Sequence, residues 1–266
     1  MLLLSILIGT LLAGIGSVWL AAVLGFGVFA RYTQHMLSLA AGALLGTAFL
    51  HLLPEAFESA ASPHSLFMTL LIGLVFFFLL DKAELWHHGH EHHHGHDAHD
   101  AHDAHGHHPA HDHAHQHHSG SWAVLTGDSV HCFGDGILIA SAFMADWRLG
   151  AVASLAVLAH EVPHHMGDLA VLRGSSNNRQ VALVKVSLAG AVTALGGVLG
   201  YWLVERLRDY LPFFLVVAAS SFIYVALADL IPQLQKRLSL QKTVAQIAWL
   251  LLGIALVNGV SQLTRA

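Results

Sequence analysis

Charged side chains are scarce in this 266-residue chain. Asp, Glu, Lys and Arg together make up 11% of the sequence, whereas hydrophobic residues make up 55%. Soluble domains usually carry about a quarter charged residues, so an ordinary soluble domain is excluded. The chain also has a single cysteine, Cys132. An intramolecular disulfide is therefore excluded, and cysteine usage indicates no redox compartment.

Long apolar runs account for the low charge. They are roughly 20 residues long, which is enough to cross the hydrocarbon core of a bilayer. The first run follows Met1 without a basic stretch, so we expect a spanning helix and not a cleaved signal peptide. We predict an all-α membrane protein with eight transmembrane helices. The predicted spans lie near 2–29, 35–57, 64–85, 122–145, 149–172, 180–205, 211–233 and 243–262.

A histidine-rich segment interrupts the apolar pattern. Residues 87–118 contain 17 histidines, interspersed with Asp, Ala and Gly. This composition cannot form a packed core, and histidine at this density favours weak binding of several metal ions. A solvated linker without a metal role is the alternative. The predicted domains are helices 1–3 at 1–86, a disordered His-rich loop at 87–121, helices 4–5 with a metal centre at 122–172, and helices 6–8 at 173–266.

Basic residues predict the orientation in the membrane, because cytoplasmic loops are enriched in Lys and Arg. With the amino terminus outside, eight basic residues fall on the cytoplasmic side and four on the outer side. The cytoplasmic set is Arg31, Lys82, Arg173, Arg179, Lys185, Lys236, Arg237 and Lys242, and the outer set is Arg148, Arg206, Arg208 and Arg265. We expect a multi-pass protein of the cell (inner) membrane, with both termini outside and the His-rich loop in the cytosol.

Spans two and seven carry similar segments, HLLPE at 51–55 and DLIPQ at 229–233. Because the two spans run in opposite directions, the repeat would be inverted in the membrane, as in many secondary transporters. A chance similarity between two proline-containing helices is the alternative. His51 and Glu55, near the outer end of span two, and Asp229, near the inner end of span seven, are candidate residues of a transport pathway. They would otherwise be ordinary polar residues at helix ends.

Spans four and five combine histidine with carboxylate side chains. The candidate metal ligands are His131, Cys132 and Asp135 in span four, and His160, Glu161, His164 and His165 in span five. Each motif has candidate ligands at positions i, i+1 and i+4, so the first and last share a helix face. Both motifs begin roughly 14–17 Å into their spans, near the bilayer centre. Ionisable residues there are costly and typically mark a site or pathway.

Two such helices packed together could surround one metal ion and offer a second position beside it. Asp135 or Glu161 could bridge the two positions. Imidazole and carboxylate ligands suit zinc and neighbouring divalent ions. Cys132 is either a small packing residue or a ligand, and His165 either joins the site or faces another helix.

These motifs resemble those of the ZIP (Zrt/Irt-like) metal-transporter family, in its bacterial-type histidine-loop branch. HCFGDG, from His131, is similar to the family's HNxxDG, and HEVPHHMGD, from His160, is similar to its HExPHExGD. HLLPEA in span two and ALADLIP in span seven are also similar to segments of that branch. The resemblance implies a 3+2+3 helix arrangement, a binuclear metal centre, metal uptake toward the cytosol and a homodimer. The ligands that it implies are His131, Asp135, His160, Glu161 and His164.

Two positions depart from the family pattern. Cys132 stands where the family usually has Asn, and His165 where it usually has Glu. A softer donor at 132 favours zinc or cadmium over manganese or iron. We expect Zn²⁺ as the transported substrate, with Cd²⁺, Fe²⁺ or Mn²⁺ as alternatives. The expected partners are divalent metal ions, the lipid bilayer and a second copy of the chain, and no nucleic acid.

Two other classes of protein share parts of this pattern. His160, Glu161 and His164 form the HExxH signature of zinc metalloproteases, which would make the chain an intramembrane protease. Pro163 would distort that helix, and the motif in span four has no role in such an enzyme. The other class is a cation exporter with a His-rich cytosolic loop. Such exporters resemble six-span bundles with a cytosolic domain, whereas eight spans are predicted here. We therefore expect a transporter and not an enzyme.

Overall fold

The computed structural model describes residues 1–25, 33–89, 119–175, 179–235 and 239–263. These residues form eight helical elements, α1 to α8, and contain no β-strand. The elements are α1 (Leu2–Leu11, Leu12–Gly16 and Ser17–Gly25), α2 (Thr33–Thr47, Ala48–Leu52 and Leu53–Phe57), α3 (Pro63–Gly89), α4 (Ser119–Ala145), α5 (Trp147–Ser175), α6 (Arg179–Arg206), α7 (Leu211–Tyr224, Val225–Leu230 and Ile231–Leu234, after a 3-10 turn at Arg208–Tyr210) and α8 (Leu240–Leu263). The all-α prediction is confirmed.

Six of these elements, all except α4 and α5, are long and apolar enough to cross a membrane by length and composition. The helices α4 and α5 have 27 and 29 residues, about 40 Å at 1.5 Å per residue. They are more polar because they carry the residues of the predicted metal centre, and Asp135 and Glu161 among them are buried. The eight-span 3+2+3 arrangement stays a prediction.

Large apolar side chains cover much of the molecular surface. Phe67 and Ile72 on α3, Leu188 and Leu195 on α6, and Val244 on α8 are each more than half exposed. Soluble monomers rarely expose continuous apolar patches of this kind. Hydrocarbon tails would cover these side chains while the helical hydrogen bonds satisfy the backbone. The chain is therefore a multi-pass membrane protein.

Glycines allow two pairs of helices to pack closely. A Cβ atom at Gly136 of α4 would collide with the backbone of Thr193 in α6, and one at Gly253 of α8 would collide with the backbone of Leu39 in α2. Small residues at such crossings are typical of membrane helices. Because Gly136 directly follows Asp135, the α4–α6 crossing fixes the depth at which α4 presents that carboxylate.

The helices α2 and α7 both widen into a π-helical turn just before a proline. In α2 the Leu53 N–H donates to the Ala48 carbonyl, and in α7 the Ile231 N–H donates to the Ala226 carbonyl. Each bond spans five residues instead of the four of an α-helix. These positions are equivalent in the two similar segments identified above. The segments thus share a backbone irregularity, while the inverted repeat of the whole helices stays a prediction.

The helices extend into both ends of the predicted loop 87–121. The structure continues α3 to Gly89 and begins α4 at Ser119, because helical hydrogen bonding propagates beyond the apolar stretch that anchors each helix. The division of the chain into these domains stays a prediction. Residues 90–118 lie outside the described residues. So do Arg31, Lys236, Arg237 and Arg265, on which part of the predicted orientation depends.

Candidate metal centre

The predicted ligands lie in the middle of two helices that pack against each other. Cys132 is the midpoint of α4, and Glu161 is the midpoint of α5. Cys132, Asp135, His160 and Glu161 are all at most 3% exposed. Burial of this many polar groups in apolar helices is costly unless they pair with one another or with an ion.

Four of these residues form one group, which we name the central quartet: His131, Asp135, His160 and Glu161. The Nε2 atom of His160 lies 3.3 Å from Asp135 Oδ2 and 3.2 Å from Glu161 Oε1. The Nε2 atom of His131 lies 3.4 Å from both His160 Nε2 and Glu161 Oε1, and 3.9 Å from Asp135 Oδ2. Two helices thus each supply one imidazole and one carboxylate to a common point.

The separations in the central quartet match the edges of a tetrahedron around zinc. Bonds of about 2.0–2.1 Å from zinc to nitrogen and oxygen, at tetrahedral angles, put neighbouring donors about 3.3–3.4 Å apart. Four of the five separations given above lie between 3.2 and 3.4 Å. An ion at the centre would therefore require little rearrangement of the side chains.

A second group lies beside the first, and we name it the cysteine quartet: Asp128, Cys132, Glu161 and His165. The Nε2 atom of His165 lies 3.1 Å from Glu161 Oε2 and 3.6 Å from Asp128 Oδ1. The Cys132 sulfur lies 3.7 Å from both of these oxygens. Because a zinc–sulfur bond is about 2.3 Å long, sulfur and oxygen donors on one tetrahedral ion are about 3.6 Å apart. This group, too, has the dimensions of a metal site.

Glu161 belongs to both quartets. Its Oε1 atom faces the central quartet, and its Oε2 atom faces the cysteine quartet. The sequence left open whether Asp135 or Glu161 would bridge two positions. Among the described groups of candidate ligands, Asp135 belongs to the central quartet alone and Glu161 to both quartets, so Glu161 is the carboxylate placed to bridge.

Hydrogen bonds orient the two buried imidazoles. The Nδ1 atom of His160 lies 3.3 Å from the Ala156 carbonyl, which can only accept, so Nδ1 carries the proton. The Ser17 hydroxyl donates to the Gly14 carbonyl at 2.5 Å and lies 3.0 Å from His165 Nδ1. Because a hydroxyl has one proton, His165 Nδ1 donates to it. In its neutral form each ring would then present an unprotonated Nε2 to the site, as metal-binding histidines do.

The buried acceptors of the two quartets outnumber the hydrogens that could satisfy them. Asp135 Oδ2 and Glu161 Oε1 both lie against the single Nε2 atom of His160, and Asp128 Oδ2 has no hydrogen-bond partner within the described part of the chain. Buried polar atoms are normally satisfied, and converging carboxylates repel each other unless a positive charge lies between them. A divalent cation in each quartet would supply that charge.

His164 lies apart from both quartets, although it was predicted to share the face of His160. Its Nδ1 atom is 3.3 Å from Asp168 Oδ2 and 3.7 Å from Asp128 Oδ1. The side chain is 38% exposed. Its ring stacks on that of His131, with centroids 5.6 Å apart. His164 is thus beside the central quartet without contributing a nitrogen to it.

Two carboxylates near these groups were missed as candidate ligands. Asp128 lies one helical turn before Cys132, and Asp168 lies one turn after His164. The same i, i+4 spacing that identified the motifs would have found both, had it been applied beyond their ends.

The predicted pathway residues lie outside the quartets. His51 and Glu55 line a cavity of about 220 Å³ together with Asp146 and Arg148. Asp146 separates α4 from α5, so the cavity is at the opposite end of α4 from Ser119. Asp229 is exposed on α7 and pairs with the side-chain amide of a neighbouring glutamine at 2.8 Å.

Comparisons with known proteins give a consistent result. A family model described as ZIP zinc transporter matches residues 1–261. Zinc transporter ZIP4 of Homo sapiens is 29% identical over 258 residues, which cover 79% of this chain and 40% of that protein. Zinc transporter ZIP13 of Pongo abelii is 26% identical over 277 residues, covering 94% and 76%. Zinc transporter foi of Drosophila melanogaster is 33% identical over 138 residues, covering 52% and 19%. The chain thus spans about two fifths of the length of human ZIP4.

Proposed function

The chain belongs to the ZIP zinc transporter family, and from this membership we propose that it transports divalent metal ions, foremost Zn²⁺, across a membrane. The observation that carries the proposal is the central quartet. Its four donor atoms come from two helices and have the spacing of a tetrahedral zinc site. The matched relatives are named zinc transporters, which agrees with this substrate.

The charge of the central quartet suits a divalent ion in an apolar environment. Asp135 and Glu161 supply two negative charges, and the two neutral imidazoles supply none. A bound Zn²⁺ would make the group neutral, which lowers the cost of holding it within the bilayer. The set contains no thiolate, so the ion is held less tightly than in a structural zinc site and can be released.

The proposed path runs from the cavity beside His51 and Glu55 to the central quartet. His131 is 30% exposed, and it offers the side from which a hydrated ion would exchange water for ligands. Glu161 then passes the ion to the cysteine quartet, which makes the centre binuclear. Alternating access of the two ends, with uptake toward the cytosol past Asp229, completes the transport cycle.

The cysteine quartet bears on which metals are carried. The Cys132 sulfur is a soft donor, which favours Zn²⁺ and Cd²⁺ over Fe²⁺ and Mn²⁺. We therefore propose Cd²⁺ as the second transported ion.

The remaining features of the proposal concern the assembly and its orientation. Two copies of the chain form a homodimer in the cell (inner) membrane, with both termini outside. Residues 90–118 would then lie in the cytosol, where their histidines receive ions that leave the path. These features follow from the family resemblance and from the distribution of basic residues.

The two alternative classes are not favoured. The matched family and the relatives reported above are transporters. In a zinc protease with this signature, Glu161 would act as a general base beside the metal. Here both of its carboxylate oxygens face histidines of the two quartets, which is the environment of a ligand.

Uptake of radiolabelled zinc into proteoliposomes tests the proposal. The variant His160→Ala removes a nitrogen that lies within 3.4 Å of three other donors, so we expect the initial rate to fall by about 100-fold or more. The matched control is His64→Ala, at an exposed position at the start of α3. A further variant lacks residues 90–118.

The control and the deletion variant should retain most of the uptake. If His160→Ala takes up zinc as fast as the control, the central quartet is not the transport site and the proposal fails.

A further inference from the structure

We propose that Thr193 of α6 is a specificity-determining residue: its hydroxyl donates a hydrogen bond to the Cys132 sulfur, holds that sulfur in the cysteine quartet and thereby favours soft divalent ions. The inference rests on the proposed transport function. It concerns the choice between ions and not the path that they take, and it gives a role in the site to α6, which supplies no member of either quartet.

Thr193 lies where three helices meet. A Cβ atom at Gly136 of α4 would collide with the Thr193 carbonyl, and one at Gly14 of α1 would lie 2.7 Å from the Thr193 hydroxyl oxygen. The residue is 1% exposed. A hydroxyl in this position is shielded from both water and lipid, so it requires a partner within the protein.

The Cys132 sulfur is a partner of this hydroxyl. It lies within hydrogen-bonding reach of the Thr193 side chain. Gly136 comes one helical turn after Cys132, so both residues lie on the same face of α4. The close crossing of α4 and α6 brings that face against Thr193. The contact between sulfur and hydroxyl thus follows from the packing of the two helices.

The hydroxyl is the donor of this hydrogen bond once a metal ion is bound. The Cys132 sulfur also lies 3.7 Å from Asp128 Oδ1 and from Glu161 Oε2, and the thiol proton can point to either carboxylate. Metal binding removes that proton, after which the sulfur can only accept. Ionised carboxylates have no proton to donate, so among these three neighbours Thr193 is the donor.

The charge of the cysteine quartet explains why such a donor favours metal binding. With a thiolate at Cys132 and ionised Asp128 and Glu161, the quartet has three negative charges, and a neutral His165 adds none. A divalent ion leaves one negative charge in excess within a group whose members are all buried. A hydroxyl hydrogen that points at the sulfur offsets part of this charge, and so it stabilises the metal-bound thiolate.

The same hydrogen bond limits the orientation of the sulfur. A cysteine side chain has three staggered rotamers about χ1, and the bond to Thr193 favours the one that places the sulfur in the quartet. Sulfur is the donor that distinguishes soft from hard ions, so the loss of its fixed position costs Cd²⁺ more than Zn²⁺. Thr193 therefore acts on selectivity through Cys132, as a positioning residue and not as a ligand.

The single cysteine of the chain allows a test on the intact protein. A cadmium thiolate absorbs in the ultraviolet, and Cys132 is the only residue of the sequence that can form one, so the His-rich segment adds nothing to the band. Thr193→Val removes the hydroxyl and nearly retains the shape. We expect the free cadmium concentration for the half-maximal band to rise about tenfold. The band should also move to longer wavelength, because the sulfur electrons lose a stabilising hydrogen bond.

Transport supplies the second measurement. Thr193→Val should lower cadmium uptake relative to zinc uptake into proteoliposomes by about fivefold, the loss expected for one hydrogen bond. Thr193→Ser, which retains the hydroxyl, should restore both the ratio and the band. The matched control is Thr47→Val, because this buried threonine of α2 donates to the Ala43 carbonyl of its own helix at 2.8 Å. Zinc uptake shows whether each variant is folded, and Thr193→Ala replaces the valine variant if that one is not.

Three results would overturn the inference: no thiolate band in the unmodified chain, a band and an uptake ratio of Thr193→Val equal to those of Thr47→Val, or a loss in Thr193→Ser as large as in Thr193→Val. The last result would assign the effect to packing of the threonine methyl group. A failure of the proposed function is different and separable, because it would appear as no zinc uptake by the unmodified chain.

Discussion

The central quartet and the cysteine quartet share Glu161 but differ in donors and in access to solvent. The central quartet has only nitrogen and oxygen donors, and it is open at His131, which is 30% exposed. The cysteine quartet adds a sulfur donor, and each of its four members is at most 3% exposed. A hydrated ion can reach the first group from water, whereas it reaches the second only from within the protein. The central quartet therefore suits capture of an ion from water, and the cysteine quartet suits binding of a soft ion away from water.

The largest effect should come from removing what the two quartets share. Glu161→Gln deletes a negative charge and a strong donor from both positions, so the remaining ligands hold a divalent ion poorly. We expect zinc uptake to fall by about 100-fold or more, and zinc bound per chain to fall at both positions. Uptake into proteoliposomes and metal analysis of a chain lacking residues 90–118 would measure these changes.

Glu205→Gln is the control for this substitution, because Glu205 pairs with Arg208 at the exposed end of α6. If one quartet of Glu161→Gln still bound zinc with unchanged affinity, Glu161 would not be a ligand shared by the two quartets, and the comparison between them would be wrong.

A smaller effect, limited to one quartet, should follow from Cys132→Ser. The change replaces the soft sulfur with a hydroxyl of similar shape, so Cd²⁺ loses more than Zn²⁺. We expect cadmium uptake to fall by about tenfold relative to zinc uptake. The ultraviolet charge-transfer band of a cadmium thiolate should also disappear. Equal losses for both metals would show that the sulfur does not bind the ion.

The smallest effect should come from the residue that orients His165. Ser17→Ala removes the hydroxyl that accepts from His165 Nδ1, so the ring loses its fixed orientation. Such changes cost about tenfold in metal affinity, and here the loss should affect only the cysteine quartet. Titration with cadmium would measure it. Ser141→Ala is the control, since this buried hydroxyl donates to its own helix at Ile137. An equal loss in both variants would mean that Ser17 has only a packing role.

Much of the fold was readable from the sequence, because membrane helices are defined by length and apolar content. Every predicted span is helical over the residues that the structure describes. The spans at 122–145 and 149–172 were predicted from their apolar runs like the others, although their polar residues lower the apolar content of α4 and α5. The ionisable groups at mid-helix, which are costly there, then indicated a site.

The sequence predicted those features of the metal centre that depend on spacing within a single helix. The spacing within each helix predicted that His131 shares a face with Asp135, and His160 with His164. In the structure, Glu161 and not His164 completes the group with the other three. The position of His164 depends on how α4 and α5 are rotated against each other, which periodicity within α5 cannot give. The orientation of His165 depends on Ser17, which lies 148 positions away in the sequence. Both features depend on how the helices pack against one another.

The π-helical turns at Ala48–Leu52 and Val225–Leu230 have a practical consequence for engineering. A π turn holds one residue more than an α turn, so residues beyond it are rotated by about 100° from where a regular helical wheel would draw them. Cysteine pairs or spin labels placed on α2 by such a wheel would be assigned to the wrong face on one side of residue 50. A helical wheel used to interpret cross-links in either helix must therefore be shifted by one residue after the turn.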